Sequence, residues 1–194
     1  MLPEELAQNE KQGNSIKSFL LEVAKFVFLA LIIVVPIRVY VAQPYIVSGT
    51  SMIPTFENGD YLIVDQLSYR LHEPERGDVV VFRYPNDPSK FFIKRIIALP
   101  NETLEIESGN IVVKNTVSPE GFALEESYNK SLFSDTITVT LKEKEYFVMG
   151  DNRRASLDSR AWGALPRELL VGRALVRLFP FTSISLFPGA ASYQ

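Results

Sequence analysis

Cysteine is absent from this 194-residue sequence, and histidine occurs once, as His72. These shortages exclude disulfide-stapled folds, cysteine proteases and Cys zinc sites, and they disfavour His-rich catalytic metal sites. His72 lies in the charged stretch 70–76 and is expected at the surface, so a histidine-based catalytic triad is poorly supported. Twenty Lys and Arg against 23 Asp and Glu leave a net charge of −3, which gives no general attraction to nucleic acid. We therefore predict no nucleic-acid partner, and any catalysis must use other groups.

A long apolar run lies near the N-terminus. Phe26–Ile37 carries no charge, and the charged residues of the wider range 19–42 are Glu22, Lys25 and Arg38. The uncharged run is shorter than the roughly 20 residues that cross a bilayer, but basic side chains near its ends can reach the headgroups of a tilted helix. A cleaved signal peptide and a buried soluble helix are the alternatives. The candidate cut after Ala42 would place bulky Tyr40 where a small residue is needed, so we predict a retained transmembrane anchor over 19–42.

Lysine and arginine set the orientation of such an anchor. Lys11, Lys17 and Lys25 precede the apolar run, whereas residues 39–69 contain neither Lys nor Arg. We therefore predict a cytoplasmic segment over 1–18, a single-pass helix, and the remainder of the chain outside the cytoplasm.

From Gln43 onward, short β-branched and aromatic runs broken by Gly, Pro, Asn and Asp predict a β-rich fold. The predicted strands are Tyr61–Val64, Asp78–Tyr84, Phe91–Ala98, Thr103–Glu107, Asn110–Lys114, Thr136–Leu141, Tyr146–Met149 and Ala174–Phe179. Thr136–Leu141 alternates strictly between polar and apolar residues, which predicts one face in water.

Residues 115–135 are polar, which predicts a long loop that leaves the main sheet. The predicted organisation is a mainly β core over 43–102 and 146–194, with a small β accessory subdomain over 103–145.

A candidate nucleophile lies in the sequence SGTSMIPT, residues 48–55, just after the apolar run. Ser51 lies on a bend that contains Gly and is followed by Pro. Such a bend can present a hydroxyl and a backbone N–H to the same point, as acyl transfer requires. The same residue types are ordinary in polar turns, so a catalytic reading of Ser51 needs a base.

Lys94 is the candidate base, in the sequence FFIKRIIALP of residues 91–100. On a strand it shares a face with Phe92 and Ile96, and therefore points among apolar side chains. Burial lowers the pKa of a lysine by up to about 3 to 5 units, which leaves some neutral amine near pH 7 to accept a serine proton. A lysine that reaches into solvent from a sheet edge is the alternative.

Together these segments resemble the type I signal peptidases, which are membrane-anchored Ser/Lys serine endopeptidases. The resemblance covers most of the chain and rests on blocks in the family's order: a membrane segment, SGTSMIPT, GDVVVF at 77–82, IKRIIALP at 93–100 and GDNRRASLDSRAWG at 150–163. It implies a signal-peptidase-like catalytic core in which Ser51 is the nucleophile and Lys94 the general base. It also implies cleavage of signal peptides from exported preproteins after Ala-x-Ala type sites, without metal or cofactor.

The resemblance further implies supporting residues. Ser156 matches the position whose hydroxyl orients the lysine amine. The Ser51 N–H would bind the oxyanion, since Gly49 stands where some members have a hydroxyl, and Ser48 or Thr50 could assist. The substrate would add as a strand beside residues 45–48 and 91–93. The residues implied to contact it are Val47, Ser48, Met52, Phe92 and Ile93. The residues implied to brace the site are Arg95, Asp151, Asp158 and Arg160.

Two other classes stay open at this point. A self-cleaving transcriptional repressor also uses a Ser/Lys dyad, but it would carry a basic DNA-binding domain in place of the apolar N-terminus. A membrane-anchored extracytoplasmic binding protein, or an inactive homologue, needs no contact between Ser51 and Lys94. The predicted partners are preprotein signal peptides and the lipid bilayer. The predicted location is the bacterial cytoplasmic membrane, or a thylakoid membrane in a photosynthetic organism.

Overall fold

The computed structural model describes residues 3–36, 42–126, 128, 133–191 and 193, and the chain divides into two compact units, residues 1–41 and 42–194. The first unit contains helix α1, Pro3–Pro36. Large apolar side chains are exposed along this helix from Phe19 to Val35.

The transmembrane helix predicted over 19–42 is not found. Among the described residues, no helix combines the length and the apolar character needed to cross a membrane. Within the described residues, α1 covers Pro3–Pro36, and Ala42, the last residue of the predicted span, begins β1. Residues 37–41 of the predicted span lie outside the described residues.

The second unit is built from antiparallel strands, which confirms a mainly β fold. The strands are β1 Ala42–Ile46, β2 Tyr61–Asp65, β3 Val79–Tyr84, β4 Asp87–Ala98, β5 Thr103–Glu107, β6 Asn110–Lys114, β7 Phe122–Ala123, β8 Thr136–Thr140, β9 Glu145–Met149, β10 Leu165–Pro166, β11 Leu170–Phe179 and β12 Ser185–Leu186. The short helices are α2 Ser68–Leu71 and α3 Ser159–Trp162, and single 3-10 turns cover Arg153–Ala155, Arg167–Leu169 and Phe181–Ser183.

The larger sheet has the strand order β1-β2-β11-β3-β4-β9-β10, with β12 paired to β11. The inner strand β4 pairs with β3 on one side and with β9 on the other. The register sets Val80 opposite Lys94, and Val79 opposite Arg95. Because side chains alternate along a strand, Lys94 and Arg95 point to opposite faces of this sheet.

The smaller sheet has the order β7-β6-β5-β8 and lies within the range predicted for the accessory subdomain. Leu104, Ile106 and Val113 are buried in its core. On β8 the threonines are exposed and the intervening Ile137 and Val139 are half-buried, as the alternation predicted. The division of the second unit into a core and a separate accessory subdomain stays a prediction.

Several strands differ from the sequence prediction. The prediction omitted β1, β7, β10 and β12, which are short or contain proline and gain their order from pairing with longer strands. Strand β4 begins at Asp87, four residues before the predicted Phe91, because its hairpin with β3 pairs Tyr84 with Asp87 across a stretch that proline marks as a turn.

Candidate active site

Ser51 begins a tight turn over residues 51–55 that follows β1. The side chain of Met52 is 1% exposed and Phe56 is fully buried, and both pack with Val47 and Leu62. The turn is closed by a hydrogen bond of 2.9 Å from Phe56 N–H to the Met52 carbonyl. These apolar anchors hold the turn against the sheet next to the serine hydroxyl.

The loop around Asn152 is hydrogen-bonded to residues 48–55, the segment that carries Ser51 and is called the nucleophile loop below. Asn152 N–H donates to the Ser51 carbonyl at 3.0 Å, and Asn152 Nδ2 donates to the Thr50 carbonyl at 3.1 Å. A Cβ atom at Gly150 would lie 2.4 Å from the Ser51 carbonyl oxygen and 2.3 Å from Ser156 Oγ. Only glycine therefore permits this approach of the two loops.

Lys94 reaches the nucleophile from β4. Its Nζ donates to Ser51 Oγ at 2.7 Å and to the Ile93 carbonyl at 2.8 Å. The residue is 4% exposed, and burial lowers the pKa of Lys94 to about 8, although the more distant carboxylates of Asp158 and Asp151 oppose that shift. A neutral amine in this position could accept the serine proton.

Potential donors to an oxyanion differ in availability. The Ser51 N–H has no hydrogen-bond acceptor within the described part of the chain. The Gly49 N–H, in contrast, already donates to Asn58 Oδ1 at 3.0 Å. The Ser51 amide is therefore a backbone donor that stays available at the nucleophile itself.

Ser156 lies close to the nucleophile loop but makes no bond to Lys94. Its Oγ is buried and, among the described residues, has no hydrogen-bond partner of normal geometry. The implied contact between this hydroxyl and the lysine amine is therefore not present in the described arrangement, in which Lys94 is bonded to Ser51 and Ile93.

Two ion pairs brace these loops. Arg95 donates to Asp151 through Nε at 2.8 Å and through Nη2 at 2.6 Å, and both side chains are fully buried. Arg160 Nε and Nη2 each donate to Asp158 at 2.9 Å, and Asp158 accepts the Gly150 N–H at 3.0 Å. Burial opposes ionisation of Asp158, but the hydrogen bonds and the charge of Arg160, together with the Gly150 N–H, outweigh it, so the pKa of Asp158 lies below its ordinary value.

The Ser156 hydroxyl lies near the Asp158 carboxylate, but within the described part of the chain no hydrogen bond of normal geometry joins them. The buried hydroxyl is thus near a carboxylate and near the nucleophile loop without being fixed by either.

A cavity of about 530 Å³ opens beside the side chains of Ser51 and Lys94. The predicted substrate-contacting residues that line it are Val47, Ser48, Phe92 and Ile93. Met52 does not line it, because this side chain turns into the core below the loop. Leu62, Val81, Ala155 and Leu157 also line the cavity and were not predicted. Val81 lies opposite Ile93 in the pairing of β3 with β4. This register is known only from the structure, so the sequence alone did not indicate that Val81 lines the cavity.

His72 is exposed, as the sequence predicted, and lies outside this cavity. Within the described ranges, no cluster of three or more His, Asp or Glu side chains is arranged to hold a metal ion. The chemistry that the site itself offers is a serine hydroxyl, a buried amine and an unpaired backbone amide.

Known proteins resemble this chain over most of its length. The family model for "Signal peptidase, peptidase S26" matches residues 20–179. The probable signal peptidase I-2 of Synechocystis sp. is 37% identical over 193 residues, which is 96% of this chain and 85% of that protein. The signal peptidase I of Bacillus licheniformis is 31% identical over 181 residues, which is 90% of this chain and 97% of that protein.

Thylakoidal processing peptidase 1 of Arabidopsis thaliana is 34% identical over 183 residues, which is 89% of this chain and 52% of that protein. Among solved structures, a signal peptidase I from Enterococcus faecalis V583 aligns at 28% identity with a TM-score of 0.45, over 53% of this chain and 97% of that one. On the match of the family model and the identity and coverage of the first two relatives, the chain belongs to the signal peptidase family, peptidase S26.

Proposed function

We propose that this signal peptidase, a peptide-bond hydrolase, removes signal peptides from preproteins with Ser51 as nucleophile and Lys94 as general base. The observation that carries the proposal is the 2.7 Å contact between Lys94 Nζ and Ser51 Oγ, made by an amine whose pKa burial lowers to about 8. A lysine of ordinary pKa would be charged at neutral pH and could not accept a proton.

In the proposed reaction, Ser51 Oγ attacks the scissile carbonyl carbon while its proton passes to Lys94 Nζ. The Ser51 N–H donates to the oxyanion that forms. When the carbon–nitrogen bond breaks, Lys94 returns the proton to the leaving amine. A water molecule then attacks the acyl-enzyme with Lys94 again as base, and Ser51 is regenerated.

The proposed substrate is an extended chain that lies between residues 45–48 of β1 and its following loop and residues 91–93 of β4. Both segments line the cavity, and a strand bound there would place alternate side chains in pockets. The apolar side chains of Val47, Val81 and Ile93 line the cavity, which favours small apolar residues such as Ala at the first and third positions before the cut.

The decisive experiment incubates the full chain in detergent with a preprotein that carries an Ala-x-Ala site. We expect the wild type to release the mature protein, and Ser51→Ala and Lys94→Arg to release none, because guanidinium stays charged at any useful pH. Ser89→Ala is the matched control, since this exposed serine lies outside the cavity. Cleavage by Ser51→Ala at the wild-type rate would refute the nucleophile, and binding without cleavage by the wild type would favour a binding protein.

Membrane association is part of the proposal. It is supported by the exposed large apolar side chains from Phe19 to Val35 and by the lysines that precede the apolar run, which favour a cytoplasmic N-terminus. The bacterial cytoplasmic membrane is the proposed location, or a thylakoid membrane in a photosynthetic organism. Fractionation tests this: we expect the chain to stay in the membrane pellet after alkaline carbonate extraction, and recovery in the supernatant would contradict it.

A further inference from the structure

We propose that the segment Phe187–Ala191 positions the nucleophile loop, and that it does so through the contact between Gly189 and Thr55. This inference rests on the proposed function, because it concerns the placement of Ser51. The segment comes after the last strand of the fold and belongs to none of the sequence blocks that mark the site.

The segment is held in a defined conformation. Phe187 N–H donates to the Leu175 carbonyl at 2.7 Å, and Ala190 N–H donates to the Phe187 carbonyl at 3.0 Å, which closes a turn around Gly189. Beyond the turn, the hydroxyl of Tyr193 lies 2.6 Å from the hydroxyl of Tyr128. The segment is therefore fixed to the rest of the unit on both sides of Gly189.

Gly189 directly contacts Arg95 and Thr55, two residues next to the active site. Its carbonyl accepts a hydrogen bond from Arg95 Nη1. A Cβ atom on Gly189 would lie 2.3 Å from Thr55 Cγ2 and 3.4 Å from Arg95 Nη2, and the residue has a φ of +77°. Thr55 and Gly189 are thus in contact with no room for another carbon atom between them.

Thr55 connects this contact to the nucleophile. It ends the tight turn that Ser51 begins, and its Oγ1 donates to Asp151, the residue between Gly150 and Asn152. Asn152 holds the Ser51 carbonyl, as described above. A shift of Thr55 would therefore move Ser51 through the turn and through the Asp151 loop at the same time.

Gly189 also contacts β4, the strand that carries Lys94, through Arg95. Arg95 is bonded to Asp151 and to the Gly189 carbonyl, and it is the next residue after Lys94 on β4. Because a misplacement of reacting groups by about 1 Å can cost on the order of 100-fold in rate, a small shift of this support is expected to lower kcat. Gly189 is thus a positioning residue that acts through Thr55 and Arg95.

The experiment measures kcat, KM and thermal stability of the full chain with Gly189→Ala. We expect kcat to fall about tenfold or more with KM nearly unchanged. Thr55→Ser in the same chain removes the Cγ2 atom that the new Cβ meets and keeps the hydroxyl that donates to Asp151. It should therefore restore most of the lost kcat, although the strain of alanine at this φ remains.

Gly59→Ala is the matched control, because Gly59 has a φ of +95° and open space around its Cβ position. It should lower stability without the same loss of kcat, and Thr55→Ser should not rescue it. Should Gly189→Ala fail to fold, Tyr193→Phe tests the same segment by removing its bond to Tyr128, with a smaller loss of kcat expected.

Equal kcat in the wild type and the folded Gly189→Ala variant, or no rescue by Thr55→Ser, would overturn the positioning role. In those outcomes the wild type still cuts, so the proposed function stands. A wild type that cuts nothing refutes the proposed function instead, which keeps the two failures distinct.

Discussion

Lys94 and Arg95 are consecutive on β4, yet their side chains meet opposite environments. Lys94 lies against the hydroxyl of Ser51, whereas Arg95 forms a fully buried ion pair with Asp151. Burial lowers the pKa of the lysine, while the carboxylate beside Arg95 keeps the pKa of the guanidinium above its ordinary value despite its burial. The strand therefore separates a group that can move a proton from a permanent charge that holds the loops.

The first prediction concerns the pH dependence of cleavage. The reaction needs Lys94 as a neutral amine, and its pKa is about 8. We expect kcat/KM to rise about tenfold per pH unit below this pKa and to level off above it. Initial rates from about pH 6 to about pH 10, with folding checked by circular dichroism, measure this. A rate that is flat or falls through that pKa would count against Lys94 as the base.

The second prediction concerns the cost of the buried amine. The pKa of Lys94 is about 8 in the folded state, below its ordinary value of 10.5, so the buried charged amine destabilises the folded state at pH 7. This destabilisation disappears as the pH rises between those two values. Lys94→Met should be inactive but more stable at pH 7 by about 1 to 3 kcal/mol, since lost hydrogen bonds offset part of the gain. Urea unfolding at neutral and alkaline pH measures it, and lower stability of the variant at both pH values would contradict it.

The third prediction concerns Ser156, whose buried Oγ has no hydrogen-bond partner within the part of the chain that the structure describes. When Ser51 Oγ bonds to the substrate carbonyl, the amine of Lys94 needs another acceptor, and the Ser156 hydroxyl is positioned near the same loop. Ser156→Ala should therefore lower kcat by about 10- to 100-fold while the free energy of unfolding changes by less than about 0.5 kcal/mol. Kinetics combined with urea unfolding test this. Wild-type kcat in the variant would remove Ser156 from the mechanism.

The fourth prediction compares two adjacent valines of β3. Val81 lines the cavity, whereas Val80 points to the other face and packs in the core with Phe82 and Ile96. Val81→Ala should widen the cavity and raise cleavage of sites with Val in place of Ala by about tenfold relative to the wild type. Val80→Ala should lower stability and leave this preference unchanged. Rates on the paired substrates decide it, and equal preferences in the two variants would show that Val81 does not limit the pocket.

The fifth prediction concerns the two compact units. Ser51, Lys94, Ser156 and their supporting residues all belong to the unit 42–194. A chain without residues 1–41 should therefore fold and cut a soluble signal-peptide substrate in detergent, and lose efficiency toward membrane-inserted preproteins. Parallel assays on the two substrates measure the difference. If the truncated chain folds but cuts neither substrate, residues 1–41 contribute to the site directly.

Local sequence by itself predicted the mainly β fold. Alternation along Thr136–Thr140 and the β-branched runs of β3 and β4 are properties of consecutive residues, so their strands could be recognised without the fold. Ser51 and Lys94 each lie in a segment that also fits a polar turn or a sheet edge, and the resemblance of several blocks to the signal peptidases is what marks them as nucleophile and base. The apolar run predicts a transmembrane helix to residue 42, whereas Ala42 begins β1 and no membrane-crossing helix is found among the described residues.

Tertiary structure decided which of these residues meet. The contact of Lys94 with Ser51 joins residues 43 positions apart, and it depends on where β4 places its side chains relative to the loop after β1. Packing likewise turned Met52 into the core and made Val81 and Leu62 walls of the cavity. The approach of Gly189 to Thr55 left no pattern in either segment, because steric fit between distant parts of a chain arises only when both are packed against the same sheet.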